Sequence, residues 1–559
     1  MEKYKNIYTD EINHRFSIVL DEACELIFLY WHELKRHKVR FLKSNSYFNA
    51  SLSNSVQCEH SRGKSIDQIS FENLDLTIEC MVIEGQSLCR SDFAQLIDGN
   101  ENQPLIFIKC RVLDDFEFDE TLMTRSVAFI QCEFQGSFRL VNCEIQGSLW
   151  LPNCKFASHF SLKATYIKED VHLEGADFSG VGGISFRGVR AKNLYLDLGV
   201  NGSDDLVWLN EIRIDGVLSI GGDFKSEIQI LRQQDRGQEL DFEPYIGCVV
   251  IGKELYCYEN ANKTRVGGGL RVEGVWLSDN LIIENLDAEL ISLKGLIAKS
   301  ICCKNLSVDK DLIIEGCDLT TCLSKNTIVA RMSQQLVVLD SSVGRHCKID
   351  SNTFCGLIDL HGTAVAEVTY FENNTLGQSA QLGINRFTSS RFIIYPAKVL
   401  YGNSKSNLLR PKVFGLLKVG SDKHSGDQYC ALKHWLGDSG QLELEDVAFF
   451  HMRNSYQSNK IARLILGGVF GWGVRLSNIA FFSLLLIICF GGVYLSLEPK
   501  SSLSSAIALS AQSFISSFFG KWSDYPPGGL ISWVVTLESF FGVIFITVFV
   551  GAYIRKLLR

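Results

Sequence analysis

Between positions 127 and 180, apolar and polar residues alternate in rows of 10 or 11: VAFIQCEFQG, SFRLVNCEIQG, SLWLPNCKFAS, HFSLKATYIKE, DVHLEGADFSG. The rows align in columns. Cys132, Cys143, Cys154, Thr165 and Ala176 share one, Phe134, Ile145, Phe156, Ile167 and Phe178 a second, and Phe138, Leu149, Phe160 and Val171 a third. Alternation within a row is strand periodicity, and most rows close on Gly or a small polar residue. The same step returns in Leu270, Leu281, Ile291, Ile301 and Leu312, and appears early in ISFENLDL at 69–76. A short fixed period cannot bury its apolar side alone, so successive rows must stack into a solenoid. Two rows would close a four-sided coil of about 21 residues that rises roughly 4.8 Å. Interruptions near 197–210, 232–247 and 259–267 break the columns, and such loops are the expected places for ligand or partner contacts.

Two other periodicities flank the rows. Residues 9–36 lack Gly and Pro and keep Ile12, Phe16, Val19, Leu20, Ala23, Ile27, Tyr30, Trp31 and Leu34 at helical spacing. They predict a helix capping the open end of the solenoid; a membrane-surface or inter-subunit helix is the alternative, because a basic run follows. Near the other end, LSNIAFFSLLLIICFGGVYLSL at 476–497 carries no charge over 22 residues, and 530–553 carries only Glu538 over 24. Each is long enough to cross a hydrocarbon core of about 30 Å. The connector SSLSSAIALSAQSFISSFFG is too apolar for a solvated loop and is helix-compatible, and KWSDYPPGG then turns back. Irregular backbone at membrane depth persists only where it is buried in protein or lines water, which describes a re-entrant helix followed by a loop.

Charge sets the orientation. Lys460, Arg463 and Arg475 precede the first span and Arg555, Lys556 and Arg559 follow the second, while the connector is balanced. The positive-inside rule then places both termini and the solenoid in the cytoplasm. The chain opens on the polar MEKYKNIYTD rather than on a secretory signal, so its 18 cysteines are expected to be reduced. Those in the repeat columns read as small inward-facing hydrophobes. No CxxC pairs suggest a structural zinc site.

A net charge of −8 over 559 residues excludes a global nucleic-acid footprint, so an anion site must be local. One such cluster exists. Between 386 and 424 stand eight basic residues, Arg386, Arg391, Lys398, Lys405, Arg410, Lys412, Lys418 and Lys423, against one acid, Asp422. Phe387, Phe392, Tyr395, Tyr401 and Phe414 are interleaved. The mixture suits a phosphate backbone with stacked bases, anionic lipid headgroups, or merely a solvated basic face. No dinucleotide fingerprint, P-loop, HExxH or GxSxG is present, so an enzyme is not expected and no cofactor is called for.

Rows such as CEIQGSFRLVN resemble the pentapeptide-repeat family over roughly 66–400, which implies a right-handed β-helix and no particular reaction. The following stretch is similar to the helical linker of pentapeptide-repeat proteins fused to a membrane pore. Tyr429, Leu432 and Lys433 precede a Gly437–Asp438 turn, a second helix carries Phe449 and Phe450, and Phe470–Gly471 leads into the first span. Residues 476–559 resemble the two-transmembrane potassium-channel pore domain, with Glu538 at its acidic position near the inner-helix start and Gly542 at its hinge-like glycine. The resemblance implies a homotetramer in which Glu538 holds the pore helix. Its filter positions fall on Ser516, Ser517, Phe518, Phe519, Gly520 and Lys521, where only the second glycine survives. A backbone-carbonyl filter of strict potassium selectivity needs both glycines, so relaxed selectivity is expected, with the two phenylalanines gating by dewetting.

The expected organisation is therefore mainly β: an N-terminal helical cap at 1–65, a β-helix at 66–400, a basic and helical linker at 401–475, and a two-span α-helical pore domain at 476–559 with pore helix and filter-like loop at 501–529. The fusion is similar to membrane effectors of bacterial antiphage systems, Hailong-type channel effectors among them. That likeness implies a ligand-gated channel for monovalent ions in the bacterial inner membrane. The expected ligand site is Arg386, Arg391, Lys398, Lys405, Arg410 and Lys412, taking an oligonucleotide or the product of a companion nucleotidyltransferase. A membrane-anchored scaffold whose β-helix binds a protein partner is the competing expectation.

Overall fold

The computed structural model describes residues 81–98, 105–179, 183–198, 206–232, 245–252, 264–320, 334–401, 414–417, 425–519 and 529–558. The predicted capping helix at 9–36 lies outside them. The chain divides into two compact units, Met1–Pro396 and Ala397–Arg559.

The first unit is a parallel β-solenoid. Leu105 pairs with Val127, Val127 with Leu149 and Leu149 with Val171, so one wall advances 22 residues per coil. A second wall, half a coil further along, runs from Phe116 through Phe138 and Phe160 to Ile184. What the sequence presents as one column of period 11 is thus two columns on different walls. Later coils are tighter, with Leu270 on Ile291 and Ile291 on Leu312. Inward side chains form ladders at the strand spacing: Phe134, Phe156 and Phe178 stack with ring centroids 5.0 and 4.7 Å apart, and Phe116, Phe138 and Phe160 with 4.8 and 5.1 Å.

The corners depend on an unusual backbone. Lys109, Glu120, Gln131, Asn142, Asn153 and Ala164, spaced 11 apart, all have φ between 48° and 54°, and Gly175 continues the series. The left-handed region costs a non-glycine residue about 1–2 kcal/mol. The ladder offsets it: each turned amide donates to a carbonyl in the next coil, as Lys109 does to Ile130 at 2.9 Å and Gln131 to Pro152 at 3.0 Å.

The residue after each such corner belongs to the cysteine column, and here the structure adds to the reading of cysteine as a plain hydrophobe. The Cys132 thiol donates to the Phe107 carbonyl at 3.4 Å, Cys143 to Phe118 at 3.4 Å and Cys154 to Phe129 at 3.0 Å. Thr165 does the same to Leu140 through its hydroxyl at 3.1 Å, and Asn374 to Ile349 through its amide at 2.8 Å. At these five corners a small side chain supplies a donor, whereas buried Ala176 of the same series packs without one.

Helix α1, Arg90–Asp98, interrupts the rows near the start of the described coils. Asp92 accepts the Cys89 amide at 2.8 Å, the carboxylate half of a capping box. Phe93 then enters the solenoid interior, 4.9 Å from Phe107 and 5.0 Å from Phe116.

The second unit is helical: α2, Ser425–Asp438; α3, Leu442–Tyr456; the single turn α4, Lys460–Ala462, which continues as a wider π-type coil over Arg463–Val469; then α5, Leu476–Leu497, α6, Leu503–Phe519, and α7, Leu530–Leu557. Helices α5 and α7 are long and apolar enough to cross a membrane, and little of either is buried inside the protein. With 28 residues, α7 reaches about 42 Å, so its charged last turns extend past a core of about 30 Å.

Candidate functional site

Helix α6 is apolar and 17 residues long, about 25 Å, too short to cross a bilayer upright. It packs against both spans. Glycines allow the closest approaches: a Cβ on Gly542 would lie 2.0 Å from the Phe514 carbonyl oxygen, and one on Gly491 would lie 3.2 Å from Ile507. Gly542 is therefore the seat of α6 on the second span, whatever bending it also permits. Behind this contact, Phe514 and Phe545 join Ile479 in a small core.

Glu538 is fully buried in α7. Its carboxyl accepts the Tyr494 hydroxyl from α5 at 2.7 Å and meets the Ser510 hydroxyl of α6, which also lies 2.8 Å from the Ile487 carbonyl. One side chain thus ties all three helices. A buried carboxyl without such partners would cost several kcal/mol. The next residue, Ser539, donates to the Ser513 carbonyl at 2.8 Å and lies 3.0 Å from Ser516.

Of the filter positions, Ser516, Ser517, Phe518 and Phe519 are the last turn of α6, whose helix runs through Phe519. The final carbonyls of a helix lack intrahelical partners and carry its negative dipole end, an arrangement that attracts cations. Gly520 and Lys521 lie outside the described residues.

The basic cluster is placed differently from its sequence reading. Arg386, Arg391 and Lys398 are exposed. Arg386 stands at a left-handed turn before the last strand of the first unit, Arg391 is on that strand, and Lys398 belongs to the second unit. Lys405, Arg410 and Lys412 lie outside the described residues. The interleaved aromatics are mostly interior: Phe387 and Phe392 are buried 5.5 Å apart, and Phe414 is buried against Tyr401. Tyr395 alone among these five rings is broadly exposed, at 61%. The alternating strand put Phe392 inward, and spacing alone did not reveal that.

Elsewhere on the solenoid, many basic side chains pair with an acid about one coil away, as in Arg139–Glu117 at 3.2 Å, Lys192–Glu169 at 3.0 Å and Lys304–Glu284 at 3.1 Å. These walls present alternating charge rather than a phosphate track. Among the described residues no three His, Cys, Asp or Glu converge as metal ligands.

A feature that sequence reasoning missed is the attachment of α3. Its Leu444, Ala448 and Met452 are buried, and Tyr456 donates to Asp427 of α2 at 2.6 Å. Other positions hold the spans. Asp446 lies 3.7 Å from Lys556, the Arg555 guanidinium sits 4.5 Å from the Phe449 ring centroid, and Asn454 accepts the Trp472 indole N–H at 2.9 Å just before α5. Phe449 was visible in sequence as an aromatic of the second helix; of its two cationic partners, Arg453 is one turn away but Arg555 lies more than 100 residues away.

The chain therefore joins a β-solenoid to a helical unit with two candidate membrane spans. No family model matches it, and neither a curated protein nor a solved structure does.

Proposed function

We propose that the protein is a ligand-gated ion channel of relaxed selectivity, in which the β-solenoid senses a ligand and the helical unit forms the pore. The observation that carries this reading is α6: a short apolar helix held between two spans by Glu538, Tyr494 and Ser510, ending at the filter-like segment. A simple anchor requires neither a third, non-spanning helix nor a buried carboxyl to hold it. Further copies of the chain would complete the pore, with four as in the pore domain it resembles. The membrane is the bacterial inner membrane, with both termini cytoplasmic and monovalent ions permeating. An oligonucleotide supplied by a companion nucleotidyltransferase fits the exposed Arg386, Arg391 and Tyr395 as ligand chemistry, and a pore that depolarises the cell suits defence against phage.

The test is single-channel current from purified protein in planar bilayers, under potassium, sodium and chloride gradients, with short DNA oligomers added on the solenoid side. Discrete currents that oligomers evoke or silence are expected, and reversal potentials would give the selectivity. Silence under every gradient and ligand from correctly inserted protein would favour a membrane-anchored scaffold whose solenoid binds a protein partner.

A further inference from the structure

Helix α3 touches both routes into the membrane. Asp446, Phe449 and Arg453 follow one another at spacings of three and four, so they share a face with Asn454 beside it. On that face, Phe449 lies near two guanidinium groups, with Arg453 5.3 Å and Arg555 4.5 Å from its ring centroid. One turn earlier, Asp446 pairs with Lys556. At the far end, Asn454 holds Trp472, which occupies a left-handed turn with φ of 52° between Gly471 at 56° and Gly473 at 71°. That turn is further fixed by Asn478, whose amide donates to the Gly468 carbonyl at 2.9 Å from the first turn of α5. The remaining face of α3 packs on α2.

We propose that α3 is the lever that sets the state of the pore: it clamps the end of α7 through Asp446 and Phe449 and the entry to α5 through Asn454, so that the two spans are held together until α3 moves. This rests on the channel reading above and names its regulation. The mechanical logic is direct. Helix α7 bears on α6 at Gly542, and its last turn is gripped at Arg555 and Lys556, so a displacement of α3 acts on a rigid helix that reaches the filter-like segment. Release of the grip frees the end of α7 to swing and opens the pore.

Full-length protein in liposomes carrying Phe449→Leu, Phe449→Tyr or Asp446→Asn provides the test, with two readouts. Amide hydrogen exchange across 551–558 reports the clamp, and single-channel recording without added ligand reports the pore. Phe449→Leu removes the π face at similar volume; it should accelerate exchange at least fivefold and raise open probability about fivefold, whereas Phe449→Tyr keeps the ring and should behave as wild type. Lys556→Gln should change neither readout further once Asp446→Asn is present. Unchanged exchange in Phe449→Leu overturns the clamp. Faster exchange with unchanged open probability overturns the lever while the channel stands. Faster exchange with no current from any version overturns the channel reading, and the gating role with it.

Discussion

Tyr494 and Glu538, 44 positions apart, meet through a 2.7 Å hydrogen bond inside the pair of candidate membrane spans. The contact makes the carboxyl a strut between α5 and α7, with Ser510 of α6 on its other oxygen. Glu538→Gln preserves the geometry: its carbonyl can accept from Tyr494, while its amide donates to Ser510, which turns to the Ile487 carbonyl. It should unfold in detergent within about 1 kcal/mol of wild type. Glu538→Ala leaves Tyr494 without its acceptor and opens a cavity, and should lose about 2–4 kcal/mol. Equal losses for both would mean that the strut depends on something other than this hydrogen-bond pattern.

Gly542 gives a second prediction about the same three helices. A methyl group there would meet the Phe514 backbone, which cannot rotate away as a side chain could. Gly542→Ala should therefore part α6 from α7 at a cost of about 3 kcal/mol. The thermal unfolding temperature of the helical unit should fall, while the solenoid transition stays in place. If Gly542 served only as a flexible joint, alanine would leave thermal stability nearly unchanged.

How much of this could be read from sequence depends on the range of each interaction. The solenoid was legible because its signal, the 10- or 11-residue recurrence of inward side chains, is repeated dozens of residues long. Its left-handed corners were not, since Lys109, Glu120 and Gln131 have no preference for that backbone and adopt it only under the register of neighbouring coils. Helix α1 was missed because its capping signal is short and the rows around it read as strands. In the helical unit, Glu538 announced itself as a lone acid in an apolar run, but the partners Tyr494 and Ser510 are ordinary residues in ordinary helices. The aromatics of the basic cluster misled for the opposite reason: Phe387 and Phe392 look available until the walls assign them to the interior.

The thiols of the solenoid predict a pH dependence. Burial pushes Cys317 up to about 11 and Cys347 up to about 12, from an ordinary value of 9.0, and holds Cys132 well above it. A thiol that keeps its proton when folded and releases it near 9 when unfolded leaves the folded state with more bound protons between those values. Solenoid stability should therefore be insensitive to these groups below pH about 9, and fall above it by about 1.4 kcal/mol per pH unit for each such thiol. Urea unfolding followed from pH 8 to 11 checks the sign. Substituting Cys347 by Ala should lower stability at pH 8 but flatten the alkaline decline, and an unaltered slope would count against a buried protonated thiol.

The corner column makes the sharpest distinction between packing and hydrogen bonding. Cys154 fills a closed position and donates to the Phe129 carbonyl in the preceding coil, while Thr165, at the next corner half a coil on, donates to the Leu140 carbonyl with a hydroxyl. If volume alone mattered, Cys154→Ala and Cys154→Ser would cost similar amounts, with serine the worse for carrying a polar group inside. If the donor matters, serine should be the better substitute, because it keeps a hydrogen on the Phe129 carbonyl, whereas alanine leaves that oxygen unpaired in a dry interior. The expected order is wild type, then Ser within about 1 kcal/mol, then Ala lower by about 1–2 kcal/mol, measured as solenoid unfolding midpoints at pH 7. Alanine equal to or better than serine would return the column to simple apolar packing. The order predicted here would instead explain why cysteine, threonine and asparagine recur at these corners: each is a small side chain that delivers a proton to a carbonyl of the preceding coil.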